Sequence, residues 1–237
     1  MSFLRSFIEN IRKYPHKVAL EFIDPPLRRL PYSELGVLVD RTAGYLQSLG
    51  TARGDRIALQ LAKSLEFILL HLAAIQLGCI VLPLNPAYPL DELKYFLEDS
   101  GAKWFFTLKT NAEKYQSMLT DLPDLQECVF LDPSMPEEFQ RIIRDFTKQE
   151  FTEYLPDDTT ALLIYTSGTT GRPKGAEITH GNMRANLQAL HEAWDWQPDD
   201  VLLHVLPIFH IHGLSFALHG ALHAGTTILF MREFNAQ

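Results

Sequence analysis

The chain has only two cysteines among 237 residues, Cys79 and Cys128. Two cannot build a disulfide framework, and neither stands in a zinc-ligand spacing. Cys79 lies in an apolar run and reads as a small buried hydrophobe; reduced thiols suit a cytoplasmic chain. A basic surplus is also missing. The net charge is −8, and residues 85–160 hold sixteen acids against seven bases, which leaves the rest of the chain near neutral. That excludes a nucleic-acid surface, which needs clustered Lys and Arg. No apolar run is long enough and unbroken enough to span a bilayer. Glu66, His71, Gln76 and Gly78 interrupt residues 65–84. Residues 201–230 contain no Asp, Glu, Lys or Arg, yet Pro207, Gly213, Gly220 and Gly225 cut them into short pieces. The N-terminus carries Arg5 and Glu9 and lacks a small-residue cleavage site, so it reads as an amphipathic helix and not a signal peptide.

What is present alternates. Hydrophobic periodicity and Gly/Pro punctuation place helices over 2–14, 32–49, 64–77, 91–100 (capped by an acid, Asp91), 112–119, 180–194 and 214–223. They place strands or extended segments over 17–23, 27–31, 55–61, 79–84, 103–108, 128–131, 160–165, 176–179, 201–206 and 226–231. Strands and helices alternating at this spacing imply an α/β fold, a doubly wound and largely parallel sheet with flanking helices. No internal repeat is visible. The acidic stretch 132–158, bounded by Pro133 and Pro156, is the best internal boundary or exposed excursion, and as a boundary divides the chain into 1–158 and 159–237. Residues 226–231, a continuous apolar run between Gly225 and Arg232, are expected to be a buried strand.

The densest chemistry lies in Thr166-Ser167-Gly168-Thr169-Thr170-Gly171-Arg172-Pro173-Lys174-Gly175. Four hydroxyls, three glycines, an arginine and a lysine occupy ten residues, directly after the apolar run 160–165. Glycines let backbone approach an oxyanion, N–H and hydroxyl groups donate to it, and lysine supplies a point charge; such a loop suits a polyphosphate. It is not the Walker loop, because Lys174 follows Pro173 and no Ser or Thr follows it. It is not the dinucleotide fingerprint either, because Gly168 and Gly171 are three apart. A ligand-free Gly/Thr-rich surface turn is the plain alternative.

This loop resembles the signature of the adenylate-forming superfamily, which includes acyl-CoA synthetases, luciferases and peptide-synthetase adenylation domains. Weaker resemblances run along the chain, at Leu30–Leu35, at Gly78–Tyr88 and at Leu206–Leu214, the last most like acyl-CoA synthetases. The resemblance implies that the chain forms part of the large N-terminal domain. It implies ATP-dependent activation of a carboxylic acid, a fatty acid in the first reading, to an acyl-adenylate, followed by thioester formation with coenzyme A. The family is about twice this length, and its later motifs, for adenine, ribose and magnesium and for a mobile C-terminal domain, have no match here. Residues 1–237 alone are therefore expected to be inactive.

The resemblance also implies roles. Thr166, Ser167, Gly168, Thr169, Thr170, Gly171 and Lys174 would contact the ATP phosphates, with Lys174 and His210 catalytic. Phe209, His210, His212 and Gly213 would meet the acid. ATP, Mg2+ and coenzyme A would be cosubstrates or cofactors. Arg172 reads as a solvated charge, Glu177 as solvated on the strand face opposite Ala176, and His180 as structural. His210 with His212, and His219 with His223, form two close pairs that could hold zinc, but no H-E-x-x-H is present and no metal site is expected. A non-catalytic nucleotide-binding module and an activator of a small dicarboxylic acid stay open.

Overall fold

A computed structural model describes residues 3–25, 27–147, 155–166 and 171–232. Ser167, Gly168, Thr169 and Thr170, expected at the phosphates, lie outside the described residues.

The chain opens with α1 (Arg5–Lys13), then β1 (Val18–Phe22), β2 (Arg28–Pro31) and α2 (Tyr32–Ser48). There follow β3 (Arg56–Gln60), α3 (Leu65–Gln76), β4 (Ile80–Pro83), α4 (Leu90–Ser100), β5 (Trp104–Leu108) and α5 (Ala112–Leu119). Then come β6 (Glu127–Leu131), α6 (Pro136–Ile143), β7 (Thr160–Thr166), β8 (Lys174–Thr179), α7 (His180–Trp194) and β9 (Val201–His204). A wide π-type helical turn, His212–His219, runs into α8 (Gly220–Ala224), and β10 (Thr227–Phe230) follows.

Two sheets form. The six-stranded sheet has the order β6-β5-β3-β4-β7-β8 and is parallel except for the last pair, β7 with β8. The four-stranded sheet has the order β2-β1-β10-β9, with only β1 and β2 antiparallel. Each sheet takes strands from both sides of residue 158, so the sheets and the division at 158/159 cut the chain differently. The expected strand at the end of the described chain is β10, central in its sheet, with Ile228 and Phe230 fully buried.

The core is a single continuous apolar cluster with a satellite under α4 and α5. Its centre is α3, in which every residue is buried. Ser64 starts this helix, its side chain accepting from the Phe67 N–H at 3.3 Å. Gly78, at φ +74, provides the left-handed turn that releases the chain into β4. Burying twelve consecutive side chains leaves no amphipathic stripe, so α3 resembles a membrane segment by composition while being a core helix. None of the helices among the described residues is long and apolar enough to cross a membrane.

Three local expectations need correction. The stretch 132–158 is not simply an exposed excursion, because it contains α6. Pro136 opens that helix, Glu137 and Glu138 complement its dipole, and Phe139 and Ile143 are buried, with Phe139 edge-on to Tyr45 at 6.1 Å. The helix at 91–100 is not capped by an acid; it starts at Leu90 after Pro89, and Asp91 and Glu92 sit inside its first turn without capping it. The helix expected over 214–223 begins earlier, as the π-type turn. That change of pitch matters because it separates His219 from His223. His219 meets His71 of α3, Nε2 to Nε2 at 2.7 Å, whereas the His223 ring meets His191 of α7 at 5.4 Å.

Four histidines, His71, His180, His204 and His219, are buried. Desolvation holds His71 at about 3 and His180 and His204 at about 4, and pushes His219 well below the usual imidazole range. In the unfolded chain the same groups titrate near 6.5, so as pH falls the unfolded state takes up protons first. Stability is therefore expected to fall from about pH 6.5 down to about pH 3, by up to ~1.4 kcal/mol per pH unit for each histidine, and to be fully present above that window. Urea unfolding at pH 7.5 and pH 5 checks this, and an unchanged midpoint would contradict it.

Candidate functional site

Strand β7 ends at the carboxyl edge of the parallel part of its sheet, where open α/β sheets place their ligands. The expected loop is shorter than its sequence suggests, because its last two residues already belong to β8. Thr166 lies opposite Lys174, and Tyr165 lies opposite Gly175. Opposite residues of an antiparallel pair share a face, so the Thr166 and Lys174 side chains leave the hairpin on the same side at the mouth of the loop. Both are exposed, and Lys174 forms no ion pair among the described residues. Gly171 adopts φ +143, a conformation that a side chain would strain. At Gly175 a Cβ would come within 2.9 Å of Leu163 Cδ1, so the glycine lets Leu163 and Tyr165 pack across the hairpin.

The hairpin is held from outside by α4, which sequence reasoning did not connect to it. Tyr165 donates to the Asp99 carboxylate at 2.5 Å, and its ring lies 4.6 Å from Phe96. Burial and the Asp99 contact push the Tyr165 phenol well above its usual range. Beyond the loop, Tyr95 donates to the Pro173 carbonyl at 2.8 Å, and the Arg172 guanidinium lies over the Tyr95 ring at 5.4 Å. Arg172 is thus exposed but seated on an aromatic face, not merely solvated. Glu177 is exposed as expected and accepts from the Thr160 hydroxyl at 2.8 Å, which keeps its charge occupied away from Lys174. After β8, Thr179 and Asn182 form a reciprocal cap that starts α7. His180 is buried at that start, its ring 5.3 Å from Phe3, in keeping with a structural part.

The second group of expected residues comes off the other sheet, past the carboxyl end of β9. His210 and His212 are exposed and stacked, 5.2 Å between centroids, with their Nδ1 atoms 3.3 Å apart. Phe209 is half-buried and Phe216 stands edge-on to His212 at 4.8 Å. Gly213 is different: it is buried, its carbonyl lies 2.8 Å from His204 Nε2, and a Cβ there would come within 2.2 Å of the Pro207 carbonyl oxygen. Gly213 shapes the backbone that carries His210 and His212 and presents no side chain of its own. The two groups are linked through the fold. Lys63, just past the carboxyl end of β3, donates to the His204 carbonyl at 3.2 Å and to the Met231 carbonyl at 2.9 Å, tying the carboxyl ends of the two sheets together. Desolvation brings its ammonium down to about 8. Among the described residues no three His, Cys, Asp or Glu side chains are grouped to hold a metal ion.

A largely parallel α/β domain with a hydroxyl- and glycine-rich hairpin loop at its carboxyl edge defines the class of fold in outline. Within that class, the chain belongs to the AMP-binding enzyme family, whose model matches residues 7–237. It is 35% identical over 188 residues to the mitochondrial malonate–CoA ligase ACSF3 of Bos taurus, covering 79% of this chain and 31% of that protein. It is 32% identical over 237 residues to crotonobetaine/carnitine–CoA ligase of Escherichia coli O17:K52:H18, covering 94% of this chain and 45% of that one. Crystal structures of MatB from Rhodopseudomonas palustris superpose with TM-scores of 0.88 without nucleotide and 0.85 with ATP bound, each at 33% identity over 99% of this chain and 46% of theirs. The chain therefore spans less than half the length of these relatives.

Proposed function

We propose that the whole enzyme activates a carboxylic acid with ATP and transfers the acyl group to coenzyme A, and that Thr166–Lys174 receives the ATP phosphates. The observation that carries this reading is the pairing of Thr166 with Lys174 across the mouth of the loop at the carboxyl edge of the sheet. Relatives named as CoA ligases, and a superposable structure with ATP bound, support it.

The chemistry explains why such a loop is needed. A carboxylate resists attack by a thiol, because the leaving group would be oxide. Its oxygen instead attacks the α-phosphorus of ATP, the bond from that phosphorus to the bridging oxygen breaks, and pyrophosphate leaves. The acyl group now carries AMP as a good leaving group; a thiol adds to the carbonyl and expels it, and the thiol proton is released. Charge grows on the departing pyrophosphate during the first step, and Lys174 with the loop donors is placed to meet it. No carboxylate cluster that could hold magnesium lies among the described residues, so no step is assigned to the ion. His210 and His212 would stand at the acid, where an imidazole can donate to a carboxylate oxygen. The family resemblance points to a fatty acid. The exposed, stacked imidazole pair favours a second reading, an acid with a further polar group, in line with the malonate and carnitine ligases among the relatives.

The test is ATP–pyrophosphate exchange by the full-length enzyme across fatty acids of graded length, malonate, methylmalonate, crotonobetaine and acetate. Acid-dependent exchange with one class is the expected result. Exchange with none, in folded enzyme that still binds ATP, would favour a non-catalytic nucleotide-binding module.

A further inference from the structure

We propose that Tyr95 is a positioning residue for Lys174: it fixes the end of the loop so that β8 starts with the ammonium at the phosphates. This rests on the acid-activation reading above. Helix α4 touches the hairpin at both ends of the loop. Phe96 and Asp99 hold Tyr165, the last residue but one of β7, and Tyr95 holds Arg172 and Pro173, the two residues before Lys174. All three α4 residues lie within one turn and a fraction of helix, a rigid support for the strand ends on either side of the loop. The contacts on the Lys174 side use two features of one side chain. The Tyr95 hydroxyl donates to the Pro173 carbonyl at 2.8 Å, and the ring carries the Arg172 guanidinium at 5.4 Å. Tyr95 is also edge-on to Tyr165, 6.2 Å between centroids, so the two holds are coupled. Without the hydroxyl the Pro173 carbonyl is free to turn to water, and the peptide that sets the Lys174 backbone turns with it. Tyr95 touches no substrate in this arrangement; it acts through Lys174.

The experiment is a double-mutant cycle in the full-length enzyme with Tyr95→Phe, Lys174→Ala and the pair, read by ATP–pyrophosphate exchange and melting temperature. Tyr95→Phe keeps the ring and is expected to fold normally, to lower kcat by ~3–10-fold, the worth of one hydrogen bond, and to change KM for the acid little. In the Lys174→Ala background the same change is expected to cost little more, because the group it positions is gone. An equal loss in both backgrounds, or wild-type exchange by Tyr95→Phe, overturns the proposal. A second measurement is independent of activity: amide exchange at Lys174 and Gly175 is expected to speed up in Tyr95→Phe, and unchanged rates there overturn the proposal. Absence of acid-dependent exchange in the wild-type enzyme would strike the acid-activation reading, while the amide-exchange result still decides whether Tyr95 fixes the start of β8.

Discussion

Replacing Lys174 with alanine in the full-length enzyme is expected to slow acyl-adenylate formation by roughly 10²–10³-fold, the usual loss for one preorganised donor at developing charge. Stability should hardly change. The side chain is exposed, forms no ion pair among the described residues and contributes nothing to the core. A contact that strengthens as pyrophosphate departs appears in kcat and not only in KM. Single-turnover adenylate formation, with melting temperature as the control, measures it. Arg172→Ala is the comparison: its guanidinium is seated on Tyr95, so its removal should cost less than that of Lys174, through loosening of the loop end. A wild-type rate for Lys174→Ala would return the loop to a surface turn.

Gly213→Ala is expected to be the more damaging change to the fold, although it adds one methyl group. The new Cβ would meet the Pro207 carbonyl oxygen at 2.2 Å and its carbon at 2.9 Å, and backbone cannot swing aside as a side-chain tip can. Overpacking of this kind costs about 1–3 kcal/mol and occasionally more. For a domain of this size that is a fall in melting temperature of roughly 2–12 °C. Activity should fall with it, because Gly213 shapes the segment that carries His210 and His212. Gly220→Ala is the control: its Cβ would meet only the Trp196 ring edge at 3.3 Å. Equal melting temperatures for the two variants would show that the 207–213 backbone relaxes freely.

The alternation of strand and helix was legible because buried parallel strands are continuous apolar runs and the turns between them carry Gly or Pro, as at Gly78 and Gly101. Helix α6 was missed because its neighbours are acidic, though Pro136, two acids in the first turn and the Phe139/Ile143 spacing were all visible. The loop announced itself by composition, yet its supports did not. Tyr95, Phe96 and Asp99 lie about seventy residues away in sequence and look like ordinary members of an amphipathic helix; only the adjacency of α4 to the hairpin brings them to Tyr165 and Pro173. The histidines misled for a related reason. A spacing of four means one face only in a regular α-helix, and the π-type turn before Gly220 sends His219 and His223 to different partners.

Strand β1 pairs early with β2 but waits most of the chain for its other neighbour, since Leu20 pairs with Ile228. A ribosome adding residues at about 5–20 per second needs on the order of ten seconds or more to supply β10. Through that interval the β10-facing edge of β1 is unpaired, while the β3–β6 region can already assemble from near neighbours. The outer strand β2 carries Arg28 and Arg29, with Arg29 reaching Glu21 at 2.8 Å, charges of the kind that discourage a foreign strand from docking on a bare edge. Synthesis of this protein is thus most exposed to aggregation early, and variants that neutralise Arg28 and Arg29 should lose soluble yield before they lose stability.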